Sequence, residues 1–211
     1  MERISFFIDG FNVYHSLKPY DQATHAFITK YIKYLWLDFN ALAKRFLRGT
    51  DQLSDVFYFT ALAYWKAQAV RRHQIYIDAL EHQGVTLVKG KFKNKNRYCR
   101  YCHRQLREHE EKQTDVNIAI YLLSEAFKDT YDKAIILSND TDLIPAIKAV
   151  KTTFPHKRIG ILFPIDRFSN ELRRASDFYL RTNKKDLRNS QLPENITRPN
   201  GYVLSRPPSW R

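Results

Sequence analysis

The sequence predicts an α/β fold: a central, mainly parallel sheet flanked by helices. Three observations carry this. Short unbroken apolar runs recur, as in Val56-Phe57-Tyr58-Phe59-Thr60 and Ala134-Ile135-Ile136-Leu137. Unbroken rather than alternating runs mark strands buried on both faces. Segments with apolar residues at helical spacing lie between them, which implies right-handed βαβ crossovers. Finally, 211 residues with 44% apolar content suit one α/β domain with a real core and some decoration.

The first strand is expected over Arg3 to Ile8, ending at Asp9-Gly10-Phe11-Asn12. Gly10 allows a tight turn, and a helix follows through Val13, Tyr14 and Leu17, stopping near Pro19. Asp38 to Leu47 reads as a helix capped by Asp38 or Asn40. Val56 to Thr60 is the second strand. Lys66 to His82 is a helix that exposes Lys66, Arg71 and Arg72 and ends at Gly84. Val85 to Val88 is the third strand. Residues 89–109 read as a basic insertion. Glu110 to Phe127 has a helical pattern through Val116, Ile120 and Leu123. After the run Ala134 to Leu137 comes Ser138-Asn139-Asp140-Thr141-Asp142, then helical spacing through Leu143, Ile147 and Val150. Arg158 to Phe163 is a further strand, Phe168 to Ala175 a short helix, and Asp177 to Leu180 a short edge strand. From Arg181 the chain is polar and carries Pro193, Pro199, Pro207 and Pro208. That composition predicts an extended, flexible tail over 181–211.

Lys and Arg total 35 against 22 acids, a formal net charge of +13. Such an excess favours a polyanionic partner, most often nucleic acid. No apolar run approaches the roughly 20 residues that span a bilayer, and no basic amphipathic helix stands out for a membrane surface. The N-terminus starts directly on a strand-like segment, without a signal-peptide pattern. A cytoplasmic protein is expected. A Gly-rich phosphate loop is missing from the sequence, which argues against a nucleotide-cofactor enzyme.

Asp140 and Asp142 sit where a buried strand gives way to a helix, and Asp9 follows the first strand in the same way. Ligands of open α/β sheets bind at that edge. Taken alone, the later segment is read equally well as a helix cap. Asp115, near the start of its helix, is explained by the helix dipole alone. Together, Asp9, Asp115, Asp140 and Asp142 can gather around one point. Clustered carboxylates repel and lose hydration unless they share a proton or a cation. Mg²⁺ and Mn²⁺ are the natural partners, because both prefer carboxylate oxygen. Metals held this way activate water in phosphodiester hydrolysis. A haloacid-dehalogenase-type phosphatase is disfavoured, because Asp9-Gly10-Phe11 lacks a second Asp.

Three stretches carry a resemblance: Phe7-Ile8-Asp9-Gly10-Phe11-Asn12, Glu111-Lys112-Gln113-Thr114-Asp115-Val116, and Leu137-Ser138-Asn139-Asp140-Thr141-Asp142-Leu143-Ile144-Pro145. In this order and separation the chain resembles the NYN domain family, close to its LabA-like branch, within the PIN-like nucleases. The resemblance covers roughly residues 3 to 180. It implies a nuclease domain over 1–180 with a PIN-like three-layer fold and metal-dependent endoribonuclease chemistry on single-stranded or structured RNA. It further implies that Asp9, Asp115, Asp140 and Asp142 hold Mg²⁺ or Mn²⁺. In this reading Asn12 orients Asp9 or a water, and Ser138 supports the cluster. DNA as a second substrate and a homo-oligomer stay open. The rival reading is a regulatory module that binds RNA or DNA without cutting it.

Cys99 and Cys102 have half the spacing of a zinc knuckle. With two of His103, His109, His82 or His73 they could complete a structural Zn²⁺ site. Two reduced thiols in a surface loop are the alternative, and a disulfide is disfavoured. Arg71, Arg72, Lys91, Lys93, Arg97, Arg100 and Lys112 are the candidate contacts to nucleic acid. Tyr98 and Tyr101 among the arginines suit stacking on unpaired bases.

Overall fold

The computed structural model describes every residue except Gln22 and 99–104, and at Arg97 and 106–108 the backbone alone. β1 (Arg3–Asp9) runs into α1 (Gly10–Leu17). The short β2 (Tyr20–Asp21) and β3 (Ala26–Phe27) pair with each other. α2 (Phe39–Lys44) starts on Asp38, whose carboxylate accepts the Ala41 N–H. β4 (Gln52–Thr60), α3 (Ala67–His82) and β5 (Thr86–Lys89) follow. β6 (Lys91–Tyr98) and β7 (Gln105–Lys112) form an antiparallel hairpin. Then come α4 (Thr114–Phe127), β8 (Lys133–Leu137), α5 (Ile144–Thr153), β9 (Arg158–Phe163), α6 (Asn170–Ala175) and β10 (Phe178–Arg181). α7 (Lys184–Arg188), β11 (Asn195–Thr197) and β12 (Val203–Ser205) complete the chain.

Six strands form one sheet in the order β10-β9-β8-β1-β4-β5, every pair parallel. The chain moves outward from β1 through β4 to β5, then returns to the other side of β1 and moves outward from β8. The order therefore reverses between β1 and β8, and the crevice at their carboxyl ends is the ligand position such sheets offer. The unbroken apolar runs are explained by burial on both faces. Ile4, Phe6 and Ile8 of β1 pack with Val13, Leu42 and Leu80 from α1 to α3. Phe7 points the other way, with Ile118, Ile147 and Leu172 from α4 to α6. Phe7 is fully buried, and burying such a side chain contributes about 1.5–3 kcal/mol.

Two regions differ from the sequence expectation. The basic insertion is a regular hairpin, and β7 takes in Glu110 to Lys112, so the helix begins only at Thr114. Period-2 alternation explains this: Lys91, Lys93 and Lys95 share one face of β6, with Phe92, Asn94 and Asn96 on the other. The expected flexible tail over 181–211 is instead packed on the domain. Leu187, Leu192, Ile196, Leu204 and Trp210 are buried in the α1 to α3 layer. Trp36 donates to the Pro193 carbonyl at 2.8 Å, and Arg45 pairs with Asp186 at 2.9 Å. Sparse apolar anchors spaced among polar residues are enough to seat the segment: they join the buried cluster, and Trp210 packs against Trp36 and Tyr76. Among the described residues, no helix is long and apolar enough to cross a membrane.

Candidate functional site

β1 and β8 are adjacent, so the residues following each strand meet. Asp9 caps α1 and is almost fully buried. Its Oδ1 accepts the Asn12 N–H at 3.0 Å; its Oδ2 accepts Asn12 Nδ2 at 2.7 Å and Ser138 Oγ at 2.8 Å. Asn12 Oδ1 in turn accepts the Asn139 N–H at 3.2 Å. Ser138 Oγ accepts the Asp140 N–H at 3.0 Å, and Asp140 Oδ1 accepts the Asp142 N–H at 3.0 Å. One chain of hydrogen bonds thus ties the end of β1 to the end of β8. Gly10 is required here, since a Cβ would lie 2.6 Å from the Phe59 carbonyl oxygen.

Asp115 enters from a third element. β7 delivers the chain to Gln113, whose φ of +82° is left-handed, and α4 begins immediately after it. Such a conformation is unfavourable for a residue with a Cβ. Glu111 accepts both the Thr114 N–H and its hydroxyl, which fixes that turn. Asp115 then stands in the first turn of α4, half-buried, in the field of Asp140, Asp9, Glu111 and Asp142. Burial first, and those four carboxylates second, push its carboxyl up to about 6. Burial likewise raises Asp9, against the hydrogen bonds from Asn12 and Ser138 that favour its anion.

None of Asp9, Asp115, Asp140 or Asp142 has a cationic partner among the described residues. By donor type and by unbalanced charge, the group fits a hard divalent cation. It is not a finished cage: among the described residues, no three His, Cys, Asp or Glu side chains stand close enough together to hold a metal ion as they are. Asp115 and Asp140 are half-buried, Asp142 is exposed and Asp9 is buried.

A model of the NYN domain matches residues 3–183. The chain belongs to the NYN domain family. The match is to the family as a whole and does not distinguish the LabA-like branch. A 6-hydroxy-3-succinoylpyridine 3-monooxygenase from Pseudomonas putida is 29% identical over 175 residues, covering 77% of this NYN chain and 52% of the relative. The chain therefore spans about half the length of that curated relative. A crystal structure of a protein of unknown function from Vibrio parahaemolyticus superposes with a TM-score of 0.56 at 16% identity, covering 90% of this chain and 96% of that one. It supports the fold alone. The nuclease-like α/β fold with a central six-stranded parallel sheet is what the match and the architecture share.

The basic candidates on this NYN domain fall into two groups. Lys91 and Lys93 lie exposed on one face of β6, opposite Lys112 and Glu110 of β7. Glu110 pairs with Lys112 at 2.9 Å and with Lys95 at 3.2 Å, so part of this face is neutralised internally. Arg71 is exposed and Arg72 half-buried on α3. The Arg97 side chain, Arg100 and Tyr101 lie outside the described residues, as do Cys99, Cys102 and His103 of the zinc reading. His109 pairs across the hairpin with Asn94 and lies flat on Trp65, ring centroids 3.5 Å apart. That is four residue pairs from the Tyr98–Gln105 end, roughly 14 Å along a strand. His73 faces Thr60 (Nε2 to Oγ1, 3.2 Å) and His82 ends α3.

Sequence reasoning missed the Trp65–His109 stack and the Phe92 ring set edge-on to Trp65 and Phe11. These residues lie on four separate segments, α1, the β4–α3 loop, β6 and β7, and nothing local in the sequence links them.

Proposed function

We propose that this NYN domain is a metal-dependent endoribonuclease. The observation that carries the reading is that Asp9 and Asp140 share the Ser138 hydroxyl at the switch point, with Asp115 in their field and no cation among the described residues to balance the three. Acids beside a polyanion's path only weaken a pure binder, so their cost argues for a reaction. Asp9, Asp115, Asp140 and Asp142 would hold Mg²⁺ or Mn²⁺. When bound, such an ion lowers the pKa of a water and offsets charge on the phosphate. Asn12 and Ser138 fix the Asp9 carboxylate so that it has a single orientation. Lys91, Lys93, Arg71 and Arg72 would hold the RNA backbone. The oxygenase name belongs to the Pseudomonas relative.

A second reading, an RNA- or DNA-binding module that does not cut, is favoured by the unfinished spacing of the acids. Labelled RNA and DNA incubated with Mn²⁺ or with EDTA separate the two. The nuclease reading expects Mn²⁺-dependent internal cleavage of RNA that EDTA stops. Salt-sensitive binding without products would support the module instead.

A further inference from the structure

A cavity of about 510 Å³ opens beside the acidic edge. Its volume lies within the roughly 300–1,000 Å³ of sites that enclose a whole organic ligand. Gly10 and Phe11, the residues immediately after Asp9, form part of its wall, and so does Glu111, which fixes the turn before Asp115. The cavity and the acids therefore share a boundary.

Its lining is unusual in two respects. Four flat rings in mutual contact lie on it: Phe11, Trp65, Phe92 and His109. Phe92 stands edge-on to Trp65 at 4.7 Å and to Phe11 at 5.6 Å, and Trp65 keeps about 39% of its surface open. Three cations, Lys18, Lys66 and Arg72, lie on the same lining. Two imidazoles, His73 and His109, complete it. His73 is held neutral, its imidazole lowered to about 4 by burial and by Lys89. The His109 Nδ1 is buried without a hydrogen-bond partner among the described residues, a state that native proteins keep only for a reason.

We propose that this cavity receives one unstacked nucleobase of a single-stranded nucleic acid, presenting the adjoining phosphate to the Asp9–Asp140 edge. The ring surface left open by the Trp65–His109 stack offers stacking to a planar heterocycle, the ring nitrogens of His73 and His109 offer it a polar edge, and the cations match the phosphates on either side. An aliphatic ligand would leave the cations and the His109 nitrogen unused; a bare phosphate would leave the rings unused. The inference deepens the nuclease reading, on which the identity of the strand rests, but binding can be tested without cleavage.

The test is equilibrium binding of a fluorescent ten-nucleotide RNA in EDTA, with an abasic position moved along the strand. Wild type is expected to show one sensitive position, where loss of the base weakens binding by roughly 5- to 150-fold, the range of base–aromatic stacking. Trp65→Ala should show the same loss with the intact strand, no further loss with the abasic strand, and an unchanged salt slope. Arg72→Ala should lower the salt slope by about one. Wild-type behaviour of Trp65→Ala, or an abasic scan with no sensitive position, overturns the proposal. So does competition by a free nucleoside monophosphate together with a flat abasic scan, which assigns the cavity to a mononucleotide. Base-sensitive binding with no Mn²⁺-dependent cleavage would retain the pocket while removing the nuclease reading.

Discussion

The two ends of the same two strands treat charge in opposite ways. At the amino ends of β1 and β8, Glu2, Asp51, Asp129 and Asp132 each have a cation. Arg3 pairs with Asp132 at 2.7 Å and with Asp129 at 3.1 Å; Lys157 reaches Asp129 at 2.6 Å; Lys133 reaches Glu2 and Asp51. The Arg3 guanidinium holds the Asp132 carboxyl down at about 2. At the carboxyl ends, Asp9, Asp115, Asp140 and Asp142 lie in one another's field with no cation among the described residues, and Asp115 rises to about 6. Both ends belong to one six-stranded sheet. Charges settled within the chain serve the fold. Charges left unsettled cost stability, and that cost is offset only when something from outside binds.

The largest effect is expected at the unsettled end. Asp140→Asn should reduce Mn²⁺-dependent RNA cleavage by at least about a hundredfold, the scale of losing one charge-stabilising group, while the protein melts at an unchanged or higher temperature. A variant that cuts as fast as wild type breaks the comparison. At the settled end the order reverses. Lys157→Ala removes a buried ammonium that donates to Asp129 and to the Tyr131 carbonyl, and should lower stability by about 2 kcal/mol with cleavage per folded molecule preserved. Denaturant unfolding paired with the cleavage assay reads both.

The pH dependence should carry opposite slopes. Asp132 is depressed, so its contribution is present above the ordinary value of 3.8 and is lost as pH falls toward about 2. Asp115 is raised, so the native state holds the extra proton between 3.8 and about 6; metal-free stability falls as pH climbs through that window. Asp115→Asn removes the repulsion and should raise the metal-free melting temperature above pH 6 by about 2 °C, less than 1 kcal/mol at this size. Melting curves of the two proteins from pH 4 to 8 give the smallest and sharpest version of the comparison.

Much of this was legible in the chain. Ile4 to Ile8 and Ala134 to Leu137 are unbroken because both faces of their strands are covered, and the switch-point rule brings Asp9 and Asp140 together. The hairpin was not, because its period-2 pattern alternates Lys91, Lys93 and Lys95 with Phe92 and two asparagines rather than apolar with polar. The C-terminal segment was hidden differently: Leu192, Ile196, Leu204 and Trp210 are isolated anchors in a cluster built mostly from the first half of the chain, where Trp210 meets Trp36 and Tyr76. Composition reports the polar residues between anchors; only packing reports the anchors.

The most direct test of the central claim is Mn²⁺ binding by titration calorimetry at pH 7 in wild type, Asp9→Asn and Asp140→Asn. Saturable binding at a defined stoichiometry in wild type, lost in both variants, is the expected result. Equal uptake by all three, or none by wild type, would mean that the acids at the sheet edge do not share a cation.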